Sequence, residues 1–439
     1  MAETRALGTR TPLAPLEWGS LAGFRPLHAL MAWPSVLFLL TLAAMLFRPP
    51  DLKFYGLDRV ALAVLVFVVM LRVFARRQSL AVAGPVTWPL LGLLLIALAD
   101  LASQPYQAEN WSVFAAKWVV PFVIYHLAQL VFEDGAHLRQ LETFCLLVLA
   151  YLVLTAVCFL AGIRELIYPA CILNPDIGIH ADRARGPFLQ AVANGVALVL
   201  LGLVAVNAYR RGRLRGVLAG LFLVMFPLAI LATKTRSVWL SFAGAVAVMP
   251  LLTADRRLRR ACLCLALATL AGVATLFFLA GKDTSLARRL EERSPVEFRF
   301  ALYRAGWEMF QQHPVLGWAG ASIQPELSRR IGGFHQDQFF FHNSYQEVTV
   351  NHGLLGLGLY FWVLWELLRA GRKHRRVSRS ENLPDGLREL WPVFVGVYVL
   401  NASFVVMNYQ FVNALLFAFG GILQAGNRLE RRLEMDRAA

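Results

Sequence analysis

Apolar runs recur along this chain, each closed by a short polar or basic stretch, and most are too long for the core helices of a water-soluble domain. A helix needs about 20 residues to cross a hydrocarbon layer. Runs of that order cover roughly residues 27–47, 57–75, 85–101, 112–132, 141–162, 188–208, 216–232, 236–253, 261–280, 346–369, 390–407 and 410–427. The pattern predicts an all-α polytopic membrane protein with about twelve transmembrane helices, the third and seventh short enough to be tilted or broken. Residues 281–345 interrupt the rhythm as the only long hydrophilic segment, with helical periodicity on both sides of Pro295. Beyond that proline, Phe298, Leu302, Ala305 and Met309 share one face, with Arg299, Tyr303 and Gly306 turned away. That spacing predicts an amphipathic helix lying on the membrane or against the bundle. Pro314, Gly317 and Gly320 then impose a turn. The chain so divides into a tail (1–26), a bundle (27–280), the hydrophilic helical segment (281–345), the rest of the bundle (346–427) and a second tail (428–439).

Composition agrees with the pattern. Of 439 residues, 58% are hydrophobic and only 16% charged, against about a quarter charged in soluble domains. The cations give the orientation. With the N-terminus inside, RRGRLR (210–215), DRRLRR (255–260), the run at 369–379 and the C-terminal arginines all lie on the cytoplasmic side. The expected topology is N-in and C-in, which puts the 281–345 segment outside. The net charge of +15 is thereby a topology signal, and because each basic run flanks a span, nucleic acid is not an expected partner; membrane lipid is. The first apolar run lacks a small-residue cleavage pattern, so no cleavable signal peptide is expected. Cys145, Cys158, Cys171, Cys262 and Cys264 show no disulfide framework.

Chemistry-bearing residues gather on the outer side. His342 and Asn343 stand at the threshold of the tenth span, where polar groups are costly unless something uses them. Arg185, with Arg183, stands just before the sixth span, where a helix start offers unpaired N–H groups to a phosphate; snorkelling to headgroups is the structural alternative. Asn194 lies inside that span and needs a partner. Lys234 and Arg236 occupy a very tight outer turn. Guanidinium binds phosphate oxygens bidentately, so Arg236 is the stronger anion contact. Arg299 and Arg304 lie on the amphipathic helix. Soluble-enzyme signatures (a P-loop, a dinucleotide fingerprint, a nucleophile elbow) are absent. His335, Asp337, His342 and Glu347 are close in sequence, yet their spacing fits no recurring metal-ligand pattern, and neither a metal nor another cofactor is expected. His126 and His352 read as core residues, and Gly353, Gly356 and Gly358 as close helix packing.

Fixed arginines and one histidine suit attack by a hydroxyl on a sugar carried by a polyprenyl diphosphate. The leaving diphosphate needs positive charge rather than a proton, and a histidine titrating near about 6.5 suits the base that takes the acceptor's proton. With no evident protein nucleophile, a single inverting displacement is expected.

These motifs resemble the O-antigen ligase and polymerase superfamily of bacterial inner-membrane glycosyltransferases. Arg236 to Leu240 reads R-x3-L after a tight outer turn; His342–Asn343, nine residues, then Gly353-x-x-Gly356 matches H-N-x9-G-x-x-G. Residues 299–317 are similar to the family's R-x3-W…HPxxG stretch, with Tyr303 in place of tryptophan, and RGPF (185–188) with Asn194 also fits. The resemblance implies transfer of O-antigen polysaccharide from undecaprenyl diphosphate to lipid A–core oligosaccharide in lipopolysaccharide biosynthesis. It implies a metal-independent, periplasmic active site. Carried over, the catalytic residues are His342, Arg236 and Arg299, with Arg185, Arg304, Asn343 and Asn194 as substrate-binding positions. Polymerases and O-linked protein oligosaccharyltransferases of the same superfamily are the near alternatives. A flippase of lipid-linked sugars is the alternative from another class, but a transporter's internal repeat and midplane charges are missing.

Overall fold

The computed structural model describes residues 33–48, 56–75, 82–252, 255–280, 294–318, 320–331, 339–372 and 383–438. His335 and Asp337, like the tail at 1–26, lie outside the described residues. Among the described residues every regular element is helical. In chain order these are α1 (Pro34–Leu46), α2 (Leu57–Ala75), α3 (Thr87–Ala102), α4 (Ala108–Val131), α5 (Gly135–Ala161), α6 (Ala191–Arg210) and α7 (Gly216–Ala232). They continue with α8 (Arg236–Leu252), α9 (Arg256–Ala280), α10 (Ser294–Gln312), α11 (Gly320–Arg330), α12 (Ser344–Ala370), α13 (Leu383–Ala402) and α14 (Gln410–Ala438). Among the described residues, five helices are long and apolar enough to cross a membrane: α4, α5, α6, α12 and the Arg256–Thr275 part of α9; α1, α3, α7 and α8 are shorter apolar helices. The third and seventh expected spans, α3 and α7, are short but continuous.

The bundle is built around α6. Every residue from Ala193 to Ala208 is buried, as expected of a helix apolar all round, and α5, α7, α8, α9, α13 and α14 all pack on it. Two ends result. At one, Glu142 at the start of α5 meets Arg211 and Arg213 just beyond α6. There Arg210 also pairs with Glu389 and Asp255, and Arg72 with Glu133. At the other end the segment leading into α6 meets the turn between α7 and α8 at Ala184 and Ala232, and the start of α12 meets the segment following α13 at Ser344 and Val405.

Helix α4 contains a π-turn at Ala115–Val119. Such a turn upsets the local hydrogen-bond ladder, and π-bulges concentrate at functional sites. Here the Ala116 carbonyl accepts from Asn413 Nδ2 at 3.1 Å. The turn directs Lys117 to a half-buried ion pair with Glu347 on α12.

Helix α10 begins at Ser294–Pro295, a favourable start because proline's missing N–H is not needed there. Leu302, Ala305 and Met309 bury against Ile323 and Leu327 of α11, Phe339 and Phe341 just before α12, and Val350 of α12. The face expected to point away is packed as well. Gly306 is buried, the Tyr303 hydroxyl donates to Ser403 O at 3.4 Å, and Gln346 Nε2 donates to the carbonyls of Leu302 and Tyr303 at 2.8 and 3.2 Å. Among its described side chains, exposure is concentrated on the flank with Phe300, Arg304 and Trp307.

Helix α12 is broken at Gly353, whose φ of 61° and ψ of −159° belong to a region essentially reserved for glycine. The residue is therefore a hinge in the backbone rather than the packing glycine expected from sequence. The turn after α10 fills the break. Trp318 N donates to Val350 O at 2.8 Å, Leu354 N to Pro314 O at 2.8 Å and Leu355 N to Val315 O at 3.3 Å. A side chain at residue 353 would overlap the Val315 carbonyl. Non-helical backbone at membrane depth is tolerated only where protein satisfies it, and the 314–318 turn does so.

Candidate active site

Asn343 forms the N-cap of α12. Its side-chain oxygen accepts from Tyr345 N at 2.8 Å and Gln346 N at 3.2 Å, as a capping asparagine does. That cap fixes the preceding residue, His342, in front of the helix. The imidazole packs edge-on against Phe298 of α10, with ring centroids 6.0 Å apart. Among the described residues nothing hydrogen-bonds to it. Burial, and then the positive charge of Arg299, hold its pKa below the usual histidine value, so the neutral form that accepts a proton is favoured. Arg299 is half-buried, and among the described residues no carboxylate pairs with it.

Arg236, Arg185 and Asn194 come together in a second group. The 232–236 turn is bound to the 182–184 segment through Ala184 N to Ala232 O at 3.0 Å and Lys234 Nζ to Asp182 O at 3.1 Å. Arg236 is exposed at the first position of α8, where helix N–H groups and the guanidinium present one positive surface. Arg185 is fully buried. Its Nε donates to Ile172 O at 2.9 Å, Nη1 to Ile177 O at 2.5 Å, and Nη2 to Asn174 O. Burial lowers its pKa. The guanidinium thus ties down the 172–177 loop and faces no open space. Asn194, also buried, donates to Ala184 O at 2.9 Å and touches Gly186, bracing the same turn from below.

The two groups meet through α13. Helix α8 packs along it, and the segment following it receives Tyr303 at Ser403 and Ser344 at Val405. Arg304 stands apart from both, exposed and paired with Glu308 one turn on.

Two features escaped the sequence reading. Lys117 and Glu347 are separated by 230 positions, so no local signal links them. Asp100, near the end of α3, accepts from Gly320 N at 3.0 Å and so anchors the start of α11. Among the described residues no group of three or more His, Cys, Asp or Glu side chains is arranged to hold a metal.

A long-helix bundle with a capped histidine and clustered arginines at one end defines a multi-pass membrane protein with a candidate anion site. Residues 220–361 match the family model described as O-antigen ligase. That match covers about a third of the chain and marks this stretch as similar to the O-antigen ligase family. It takes in Arg236, Arg299, Arg304, His342, Asn343 and Gly353, and leaves out Arg185 and Asn194. No curated protein matches the chain.

Proposed function

We propose that the protein is an O-antigen ligase of the bacterial inner membrane, with twelve spans, both termini cytoplasmic and the His342 end facing the periplasm. It transfers polysaccharide from undecaprenyl diphosphate to a hydroxyl of lipid A–core oligosaccharide. The acceptor oxygen attacks the anomeric carbon, the bond from that carbon to the diphosphate oxygen breaks, and the configuration inverts. His342 takes the acceptor's proton, and Arg299 and Arg236 receive the diphosphate charge as it develops. Asn343 holds the base at the head of α12. Arg185 and Asn194 shape the loop beside Arg236 rather than touch the phosphates. Arg304, already engaged by Glu308, is assigned at most to the outer margin of the site.

The observation that carries this reading is the neutral-biased, unbonded His342 imidazole beside a half-buried arginine that has no carboxylate partner among the described residues. The test is reconstituted transfer with purified protein and defined donor and acceptor. His342→Ala should lower the rate by roughly 100- to 10,000-fold, and an undiminished rate would remove the base from the scheme. A polymerase uses the same donor chemistry. After deletion of the gene, loss of the whole O-antigen ladder with accumulated lipid-linked polymer identifies a ligase, and core bearing a single repeat identifies a polymerase.

A further inference from the structure

At the His342 end, outside the residues just assigned, the bundle holds a cavity of about 330 Å³, within the range typical of small-ligand sites, ~300–1,000 Å³. Its walls come from the end of α1, the start of α4, the 187–189 turn with Ala193, and residues 408–411. Asn408, Tyr409 and Gln410 all line it in succession, and each is half-buried. Among the described residues none of the three side chains has a hydrogen-bond partner. The contrast with their neighbours is sharp. Asn401, Ser403 and Asn413 all donate to carbonyls, and Ser344 both accepts from Met407 N and donates to Val405 O. Half-buried, open to the cavity and not engaged by protein, this amide–phenol–amide row is available to a ligand's polar groups. Phe188 and Phe411, 5.8 Å apart, supply ring surface. Ser112 adds a hydroxyl, and Arg48, donating to it at 3.4 Å, sits at the rim.

We infer that this cavity is a saccharide subsite that holds one sugar ring of a glycan substrate. The row at 408–410 meets ring hydroxyls, and the aromatic residues cover the ring's apolar face. A chain of isoprenoid or acyl type would leave three polar side chains buried and unmet. A simple anion would use only Arg48. The inference rests on the glycan-transfer reading and specifies where that substrate is gripped. The grip is linked to the base through Ser344, which adjoins the His342–Asn343 pair and holds the loop leading into Asn408.

The test uses full-length protein in nanodiscs and two probes, delipidated O-antigen oligosaccharide and delipidated core oligosaccharide, with binding read by saturation-transfer NMR and transfer by steady-state kinetics. Losing these hydrogen bonds through Asn408→Ala, Tyr409→Phe and Gln410→Ala together should raise Kd and KM for one saccharide at least about tenfold. The other saccharide and kcat should stay within about twofold. Tyr409→Phe alone, a change that keeps the ring and the fold, should move the same constant in the same direction. Unchanged binding of both saccharides overturns the assignment. So does an Asn408→Leu/Gln410→Leu variant that binds farnesyl diphosphate more tightly while saccharide binding holds, because a prenyl chain would then be the occupant. Wild-type protein that binds a saccharide through this row but transfers none would refute the transfer reading and leave the subsite standing. Normal transfer by the triple variant would do the reverse.

Discussion

Two arginine sites, one at each end of the bundle, treat positive charge in opposite ways. Around Glu142 the cations are consumed: a fully buried carboxylate is clasped by Arg211 and Arg213, and Arg210 is held by Glu389 and Asp255. At the His342 end Arg299 is half-buried with no carboxylate partner among the described residues, and it acts on the histidine instead. Arginines of one type therefore do two jobs. Where the chain supplies its own anions, charge closes the structure; where it withholds them, charge is kept for something that arrives.

The sharpest way to break the contrast is Arg299→Gln. It should lower transfer by roughly 100- to 1,000-fold if the guanidinium meets the developing diphosphate. It also has a pH signature. Burial and Arg299 both lower the His342 pKa, so the acid limb of kcat/KM lies below the ordinary value of about 6.5. Removing one of the two causes must shift that limb upward, toward higher pH, with the burial contribution remaining. An acid limb that stays in place would mean that the arginine and the base are not coupled.

At the opposite end, Glu142→Gln leaves two arginines facing a neutral amide in a buried site and should cost about 3 kcal/mol of stability. Unfolding in detergent measures this. Transfer per folded molecule should be unaltered, and a variant that is stable but inactive would defeat the division of labour. Gly353→Ala should cost about 1–3 kcal/mol through backbone strain, with additional crowding of the Val315 carbonyl, and should reduce transfer by displacing the head of α12. Wild-type activity and melting would show that the hinge is dispensable. Smallest of all is Arg304→Ala. Its exposed pair with Glu308 is worth about 0.3–0.5 kcal/mol, and a large loss of transfer would bring Arg304 back into the site.

Helix positions were legible because hydrophobic runs state them directly; α2 and α7 fall on the expected boundaries to the residue. The Asn343 cap was half legible, as a polar residue at a span's head. The rest depends on partners distant in sequence. Arg185 resembles a phosphate ligand until the carbonyls of Ile172, Asn174 and Ile177 close on it. Gly353 resembles a packing glycine until the 314–318 turn inserts beside it. Residues 408–410 resemble a tight connection between two spans, and only the convergence of α1, α4 and the 187–189 turn makes them a wall.

The broken helix also ties a span to the segment that precedes it. With the 314–318 turn seated, the Val350 carbonyl and the Leu354 and Leu355 N–H groups bond across to it rather than along the helix. In an unbroken helix the same positions would close on one another, Leu354 N–H on the Val350 carbonyl. The kink and the turn are therefore two halves of one hydrogen-bonded unit, and a change in the turn is felt in the backbone of the span.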